Sequence, residues 1–161
     1  MRKKEREIKD PAVISEIIRS CQACRLGLAK DNEPYIVPVS FGYDGKALYI
    51  HTGVEGKKID CFLANERVCV EFEKDVKILS HEEKACNWSV SFQSVIGQGV
   101  IQELLEEDDK LQGLDWVMKQ YSDQKWEFDA KILKITRVWK ITFESLTGKQ
   151  SKDKVVAGRN D

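Results

Sequence analysis

The spacing of apolar residues changes period several times along this chain. Behind Asp10-Pro11, Val13, Ile14, Ile17 and Ile18 recur at helical spacing. An aspartate N-cap followed by proline at the first helical position predicts a short amphipathic helix ending near Cys21. The period then shortens to two. Strands are predicted over 25–29, 35–43 and 47–52, separated by the turn-rich Lys30-Asp31-Asn32-Glu33-Pro34 and by Asp44-Gly45, a strong hairpin signal. Gly53 and Gly56 bracket a loop that feeds a second helix over 57–64, with Ile59, Phe62 and Leu63 as its buried stripe, and a strand follows over 67–73. Lys74 to Ala85 is polar with weak periodicity and is read as partly extended. Residues 90–102 form a long β-rich run in which Gly97 and Gly99 mark a bulge or a close backbone approach. A helix is expected over 106–121, with Leu111, Leu114, Met118 and Tyr121 on one side. A last strand is expected over 131–143, with Leu133, Ile135, Trp139, Ile141 and Phe143 on one face.

This order predicts a mainly β, α+β domain, antiparallel with helices at its side; it lacks the regular alternation of a doubly wound sheet. The 161 residues fit a single domain, with 1–10 as an N-terminal arm and 150–161 as a flexible tail. Charged residues make up 33% but balance to a net charge of -1, so there is no basic field for a nucleic-acid backbone. The basic start, Met1 to Arg6, leads into no apolar stretch, which argues against a signal peptide or membrane span and sets a cytoplasmic expectation. Five cysteines without an export signal read as free thiols in a reducing compartment. Cys21-x-x-Cys24 has no second ligand pair for zinc. It also lies between a helix and the next strand, the reverse of a thioredoxin-like site, so the two cysteines read as incidental.

The most informative stretch is Tyr49-Ile50-His51-Thr52-Gly53-Val54-Glu55-Gly56-Lys57-Lys58. The partial positive charge of a helix N-terminus favours acidic residues, so two lysines there are an electrostatic mismatch unless an anion binds. A phosphate would resolve it, held by backbone N–H groups, the Thr52 hydroxyl and the Lys57 or Lys58 ammonium. Solvated lysines are the other reading of the same spacing. His51 fits a ligand hydrogen bond or a proton donor near neutral pH, against a structural histidine satisfied by the backbone. Trp88, Phe92 and Trp139, with Ser91 and Ser94, lie on or beside the late strands, where core packing is the ordinary role of a tryptophan.

Several ordered segments carry a resemblance: Arg25-Leu26-Gly27-Leu28; Glu33 to Tyr43; Leu48-Tyr49-Ile50-His51-Thr52 with Gly56-Lys57-Lys58; Asn65 to Glu71; Ser94 to Gly99; and Thr147-Gly148-Lys149. Over about residues 5 to 150 the chain resembles the pyridoxamine 5'-phosphate oxidase-like split-barrel superfamily, and within it the 5-nitroimidazole-resistance (Nim) proteins. The resemblance implies a six-stranded antiparallel split β-barrel with flanking helices, and a homodimer binding FMN, or in some members FAD, at the subunit interface. By position it implies that Pro38, Val39 and Ser40 line the isoalloxazine, that His51 and Thr52 flank the ring edge and phosphate tail, and that Lys57 and Lys58 hold the phosphate. Trp88, Ser91 and Ser94 would come from the partner subunit. The implied activity is FMN-dependent reduction of small electron-poor molecules such as nitroimidazoles, with His51 catalytic. A non-catalytic flavin-binding or redox-sensing homodimer, and a dimer that has lost flavin, are the alternatives. The arginine-rich phosphate signature of true pyridoxamine-phosphate oxidases is missing, which argues against that specific activity.

Overall fold

The computed structural model describes residues 3–153. Its elements, in order, are β1 (Glu7–Ile8), α1 (Pro11–Ser20), β2 (Cys24–Lys30), β3 (Glu33–Val39), β4 (Gly42–Tyr43), β5 (Ala47–Thr52), α2 (Lys57–Ala64), β6 (Arg67–Leu79), β7 (Ser89–Leu104), α3 (Glu107–Lys119), α4 (Ala130–Lys134) and β8 (Arg137–Gln150). The strands form one antiparallel sheet in the order β3-β2-β6-β7-β8-β5-β4, with β1 paired to the far end of β8. The expected split-barrel architecture is present. Six main strands build it, and the two-residue β1 and β4 extend its edges.

Alternation puts Leu26, Leu28, Val68, Val70, Phe72, Val95, Leu48, Ile50 and Ile141 on the concave face, all buried in one core with Ile14, Ile17 and Ile18 of α1. Phe41 and Phe72 meet edge to face with ring centroids 5.2 Å apart, an arrangement that adds about 0.5–1.5 kcal/mol beyond area burial. Successive residues of β5 serve two layers. Leu48 and Ile50 enter the barrel, whereas Ala47 and Tyr49 pack beneath Val117 of α3. Gly97 and Gly99 do mark a close approach. A Cβ on Gly97 would stand 2.5 Å from the Phe143 ring, and the β7–β8 register shifts between Gln98 and Gly99.

Three expectations change. Residues 131–143 are not one strand: Asp129 caps α4 by accepting from the Lys131 N–H at 2.7 Å. The strand begins at Arg137 and runs on to Gln150, leaving Leu133 buried and Ile135 exposed. In α2, Ile59 and Phe62 are buried but Leu63 is exposed; the polar segment after 73, read as partly extended, does continue β6 to Leu79 through an irregularity between Lys74 and Lys77, where Asp75 has a φ of 56°. Strand 35–43 is interrupted, because Ser40 and Phe41 belong to neither β3 nor β4. Within the N-terminal arm, Glu7 and Ile8 pair with Lys149 and Gly148. Of the expected tail, Ser151 is buried against Phe92, and residues 154–161 lie outside the described residues. No helix among the described residues is long and apolar enough to cross a membrane.

Candidate functional site: a groove along the split of the barrel

The interruption at Ser40 opens the site. β4 and β5 pair Gly42 with Tyr49 and Tyr43 with Leu48. Continued along β3, that register would set Ser40 opposite His51 and Pro38 opposite Gly53. No such ladder forms among the described residues. The Phe41 N–H instead donates to the Tyr121 hydroxyl at 2.9 Å, which in turn donates to the Gln22 carbonyl at 2.8 Å. Farther along, the two segments face each other again: the Lys57 ammonium lies over the Tyr35 ring, 4.9 Å from its centroid. Residues 35–40 and 51–57 therefore approach each other at two places, the β4–β5 pairing near His51 and the Lys57–Tyr35 contact, with no ladder between them, and this unpaired stretch is the candidate site.

On the β3 border, Pro38 and Ser40 are exposed, while Val39 turns inward against the core. On the other border, His51 pairs with Val138 through its backbone and keeps part of its surface exposed, and its imidazole makes no hydrogen bond among the described residues. Burial, and then the nearby Lys58 ammonium, push its imidazole below the usual value of 6.5. At neutral pH the ring is uncharged, with one N–H to donate and one lone pair to accept. Thr52 points into the core. Its hydroxyl donates to the Gly53 carbonyl at 2.8 Å and accepts from the Trp139 indole at 3.0 Å. It fixes the end of β5 and offers the groove little.

The N-terminus of α2 closes this border. Ile59 and Asp60 N–H groups bond the Gly56 carbonyl at 2.8 and 3.2 Å. No side chain caps the helix, so its first N–H groups remain for a ligand or water. Gly56 has a φ of 135° and a ψ of 159°, a backbone conformation essentially confined to glycine. There is open space where a Cβ would stand on Gly53 or Gly56. Lys57 and Lys58 do not converge on a single point. Consecutive helical residues point about 100° apart, and here Lys57 turns to Tyr35 whereas Lys58 acts on His51.

The later-strand residues fare differently. Trp88 is 55% exposed on the β6–β7 connection, its indole donating to the His81 carbonyl at 2.7 Å. Ser91 is buried and donates to Asp153 at 2.7 Å, so it holds the C-terminal segment and has no surface for a ligand. Ser94 is half-buried in the ladder between Glu73 and Lys149. None of the three lines the groove within one chain. Tyr35 and Tyr121 shape the groove, yet the sequence reading gives neither a site role. Tyr35 sits in the alternation of an ordinary strand, and Tyr121 acts from 80 residues beyond Phe41.

These features define an open split barrel with an anion-ready helix start on its edge. A family model for pyridoxamine 5'-phosphate oxidase matches residues 10–150. The chain belongs to that family. It is similar to the crystal structure of a protein from Bacteroides thetaiotaomicron VPI-5482 assigned to 5-nitroimidazole antibiotic resistance, at 30% identity and a TM-score of 0.81, covering 89% of this chain and 86% of that one. An FAD-binding protein from Mesorhizobium loti is 26% identical with a TM-score of 0.66, covering 91% of this chain and 98% of that one. The flavocytochrome Anf3 from Azotobacter vinelandii shares the fold, with a TM-score of 0.80 at 17% identity over 98% of this chain and 77% of that one. A curated relative, an uncharacterised protein from Rhizobium meliloti (strain 1021), is 31% identical over 55 residues, about a third of each chain.

Proposed function

We propose that this chain binds a flavin in the groove between residues 35–40 and 51–57, and that it serves, as a homodimer, in the reduction of small electron-poor molecules such as nitroimidazoles. The observation that carries the reading is the uncapped, lysine-bearing start of α2 at the end of that groove. The donor set fits a phosphate: free N–H groups, open space at Gly53 and Gly56, and the Lys58 ammonium. Its likeness to an FAD-binding protein and to one assigned to nitroimidazole resistance supports the same reading. FMN is the minimal cofactor that meets it.

The roles of the side chains follow from their placement. Lys58 and the α2 amides hold the phosphoryl oxygens. Pro38 and Ser40, exposed on the opposite border, support the ring, and Val39 fixes that border by its inward packing. The flavin, when bound, supplies the electron exchange. His51 presents an uncharged imidazole without a hydrogen-bond partner among the described residues, so it can orient a substrate and hold a proton at one ring nitrogen. The exposed Val76, Ile78, Trp88 and Val90 on the β6–β7 arm form an apolar surface suited to the partner subunit, which would bring Trp88 and Ser94 toward a second groove. All five thiols are free, which fits a reducing, cytoplasmic setting.

The absorbance spectrum of freshly purified protein tests this reading. Flavin bands in the near ultraviolet and blue are expected, and the Lys58→Glu variant should hold flavin at least about tenfold more weakly, from the loss of one charge-assisted contact. Protein that stays colourless after addition of FMN and of FAD would overturn it. Bound flavin without turnover of nitroaromatics by NAD(P)H would leave a flavin-binding module and remove the reductase.

A further inference from the structure

Two adjacent side chains at the end of α3 reach back to the start of the sheet. Gln120 caps α3 through its backbone, and its side-chain amide donates to the Arg19 carbonyl at 2.8 Å and to the Cys21 carbonyl at 3.0 Å. Those carbonyls lie at the C-terminus of α1, where a helix leaves its last acceptors without intrahelical partners. Tyr121 extends the same seam. Its hydroxyl accepts from the Phe41 N–H at 2.9 Å and donates to the Gln22 carbonyl at 2.8 Å. Of these bonds, the one to Phe41 alone touches the strand that borders the candidate site.

The chain around Phe41 is fixed on both sides. A Cβ on Gly42 would run into the backbone of Trp116 and Val117, so β4 is seated directly on α3 about one turn before Tyr121. Phe41 is fully buried against Phe72, and Val39 packs inward on the same core. Between them stands Ser40, exposed and in neither strand. The Ser40 carbonyl and the Phe41 N–H belong to one planar trans peptide, in which they point in opposite directions. The Tyr121 hydroxyl therefore sets the plane of the linkage that ends the Pro38–Ser40 border. Without it, a part-buried N–H loses its acceptor, and that loss favours any rotation of the peptide that finds another.

We infer that Tyr121 is a positioning residue for the flavin site: its hydroxyl fixes the Ser40–Phe41 peptide and so holds Pro38 and Ser40 where the ring system rests on them. The inference rests on the flavin reading above and deepens it. In this role Tyr121 acts through Phe41 and needs no contact with the cofactor. Gln120 is its natural control, because both of its side-chain bonds go to the turn between α1 and β2.

The test compares the unaltered full-length chain with Tyr121→Phe and Gln120→Met. Tyr121→Phe removes the hydroxyl and keeps a ring that is 45% exposed, so no core volume is lost. Gln120→Met removes the other pair of bonds at similar size. Flavin-stripped protein is titrated with FMN, and in a parallel series with FAD, and the visible circular dichroism of the bound flavin is recorded. Both variants should show a lower urea midpoint. Only Tyr121→Phe should also bind flavin at least about tenfold more weakly, with Gln120→Met staying within about twofold of the unaltered chain. The visible dichroism, which reads the asymmetry around the ring, should change in Tyr121→Phe alone. A Tyr121→Phe variant with a lower midpoint but unchanged flavin affinity and dichroism would overturn the inference. Equal weakening by the two variants would do the same, because it would trace the effect to the seating of α3. Either result leaves flavin binding standing, whereas an unaltered chain that binds neither flavin would overturn both readings together. Hydrogen exchange of the unaltered, flavin-free protein needs no variant: the Phe41 amide should exchange slowly, and rapid exchange would also overturn the inference.

Discussion

Two helices of this protein begin in opposite ways. α1 opens at Asp10, whose carboxylate accepts from the Ala12 N–H at 2.8 Å, with Pro11 at the first helical position. Every choice there favours the helix: an acceptor for an orphan donor, a negative charge on the positive end of the dipole, and a residue preset to the helical φ. α2 opens at Gly56 with no side-chain cap and two lysines in its first turn. The missing cap and the two cations cost helix stability, and Asp60 in the first turn offsets only part of that. The first start completes itself within the chain, whereas the second is left incomplete at the edge of an open groove. Natural sequences tend to break local rules where a site needs them broken. The contrast sets a helix start completed within the chain against one whose first N–H groups no side chain caps, and it is on the latter that the proposed flavin site rests.

The comparison breaks most readily at Gly56. Its φ of 135° lies where other residues are strained, but a Cβ there would touch nothing within 4 Å. Gly56→Ala should therefore destabilise the protein by about 1–3 kcal/mol through the backbone alone, read as a lower urea midpoint with an unchanged slope. An unchanged midpoint would mean that the loop is not held in this conformation, and the open amide array would lose its basis. At the other start the loss is local and smaller. Asp10→Ala should cost about 1 kcal/mol, the usual worth of an N-cap, and should leave flavin binding untouched. A loss of flavin in that variant would mean that the two helix starts are coupled, against the division drawn between them.

Much of this contrast is legible in the sequence, because it is local. Asp10-Pro11, the Asp44-Gly45 hairpin and the glycine-bracketed entry to Lys57-Lys58 each speak through neighbouring residues, and each forms as expected. The groove itself is not local. The strand breaks at Ser40 and Phe41, where the Phe41 N–H donates to Tyr121, 80 positions away, and no periodicity over 35–43 announces that exchange. Residues 131–135 mislead for a different reason. Apolar residues at Leu133 and Ile135 satisfy a strand's alternation, but Asp129 supplies a cap and the segment turns helical. Ser91 has the right type and strand for a ligand contact, yet it is consumed by Asp153, a bond between residues 62 positions apart. The divergence of Lys57 and Lys58, by contrast, follows from helical geometry and was available from their adjacency alone.

The smallest effect is the sharpest, because its sign opposes intuition. Lys58 sits at the positive end of α2 and beside His51, and in the empty protein both relations are unfavourable. Lys58→Gln should therefore stabilise flavin-free protein by about 0.3–1 kcal/mol, while it weakens flavin binding. The same change should raise the His51 pKa, although burial, the larger cause, keeps it below 6.5. The consequence for stability has a definite direction. The folded imidazole resists a proton that the unfolded chain accepts, so stability is full above about pH 6.5 and declines as the pH falls from there toward the depressed folded value. In Lys58→Gln that window narrows from its acid side. The chain has two histidines, His51 and His81, so an NMR titration resolves them once one is replaced. If His51 titrates above 6.5, or if removing Lys58 lowers its pKa, the lysine is not where it must be to meet a phosphate beside that ring. The second helix start would then be merely poor, without being purposeful.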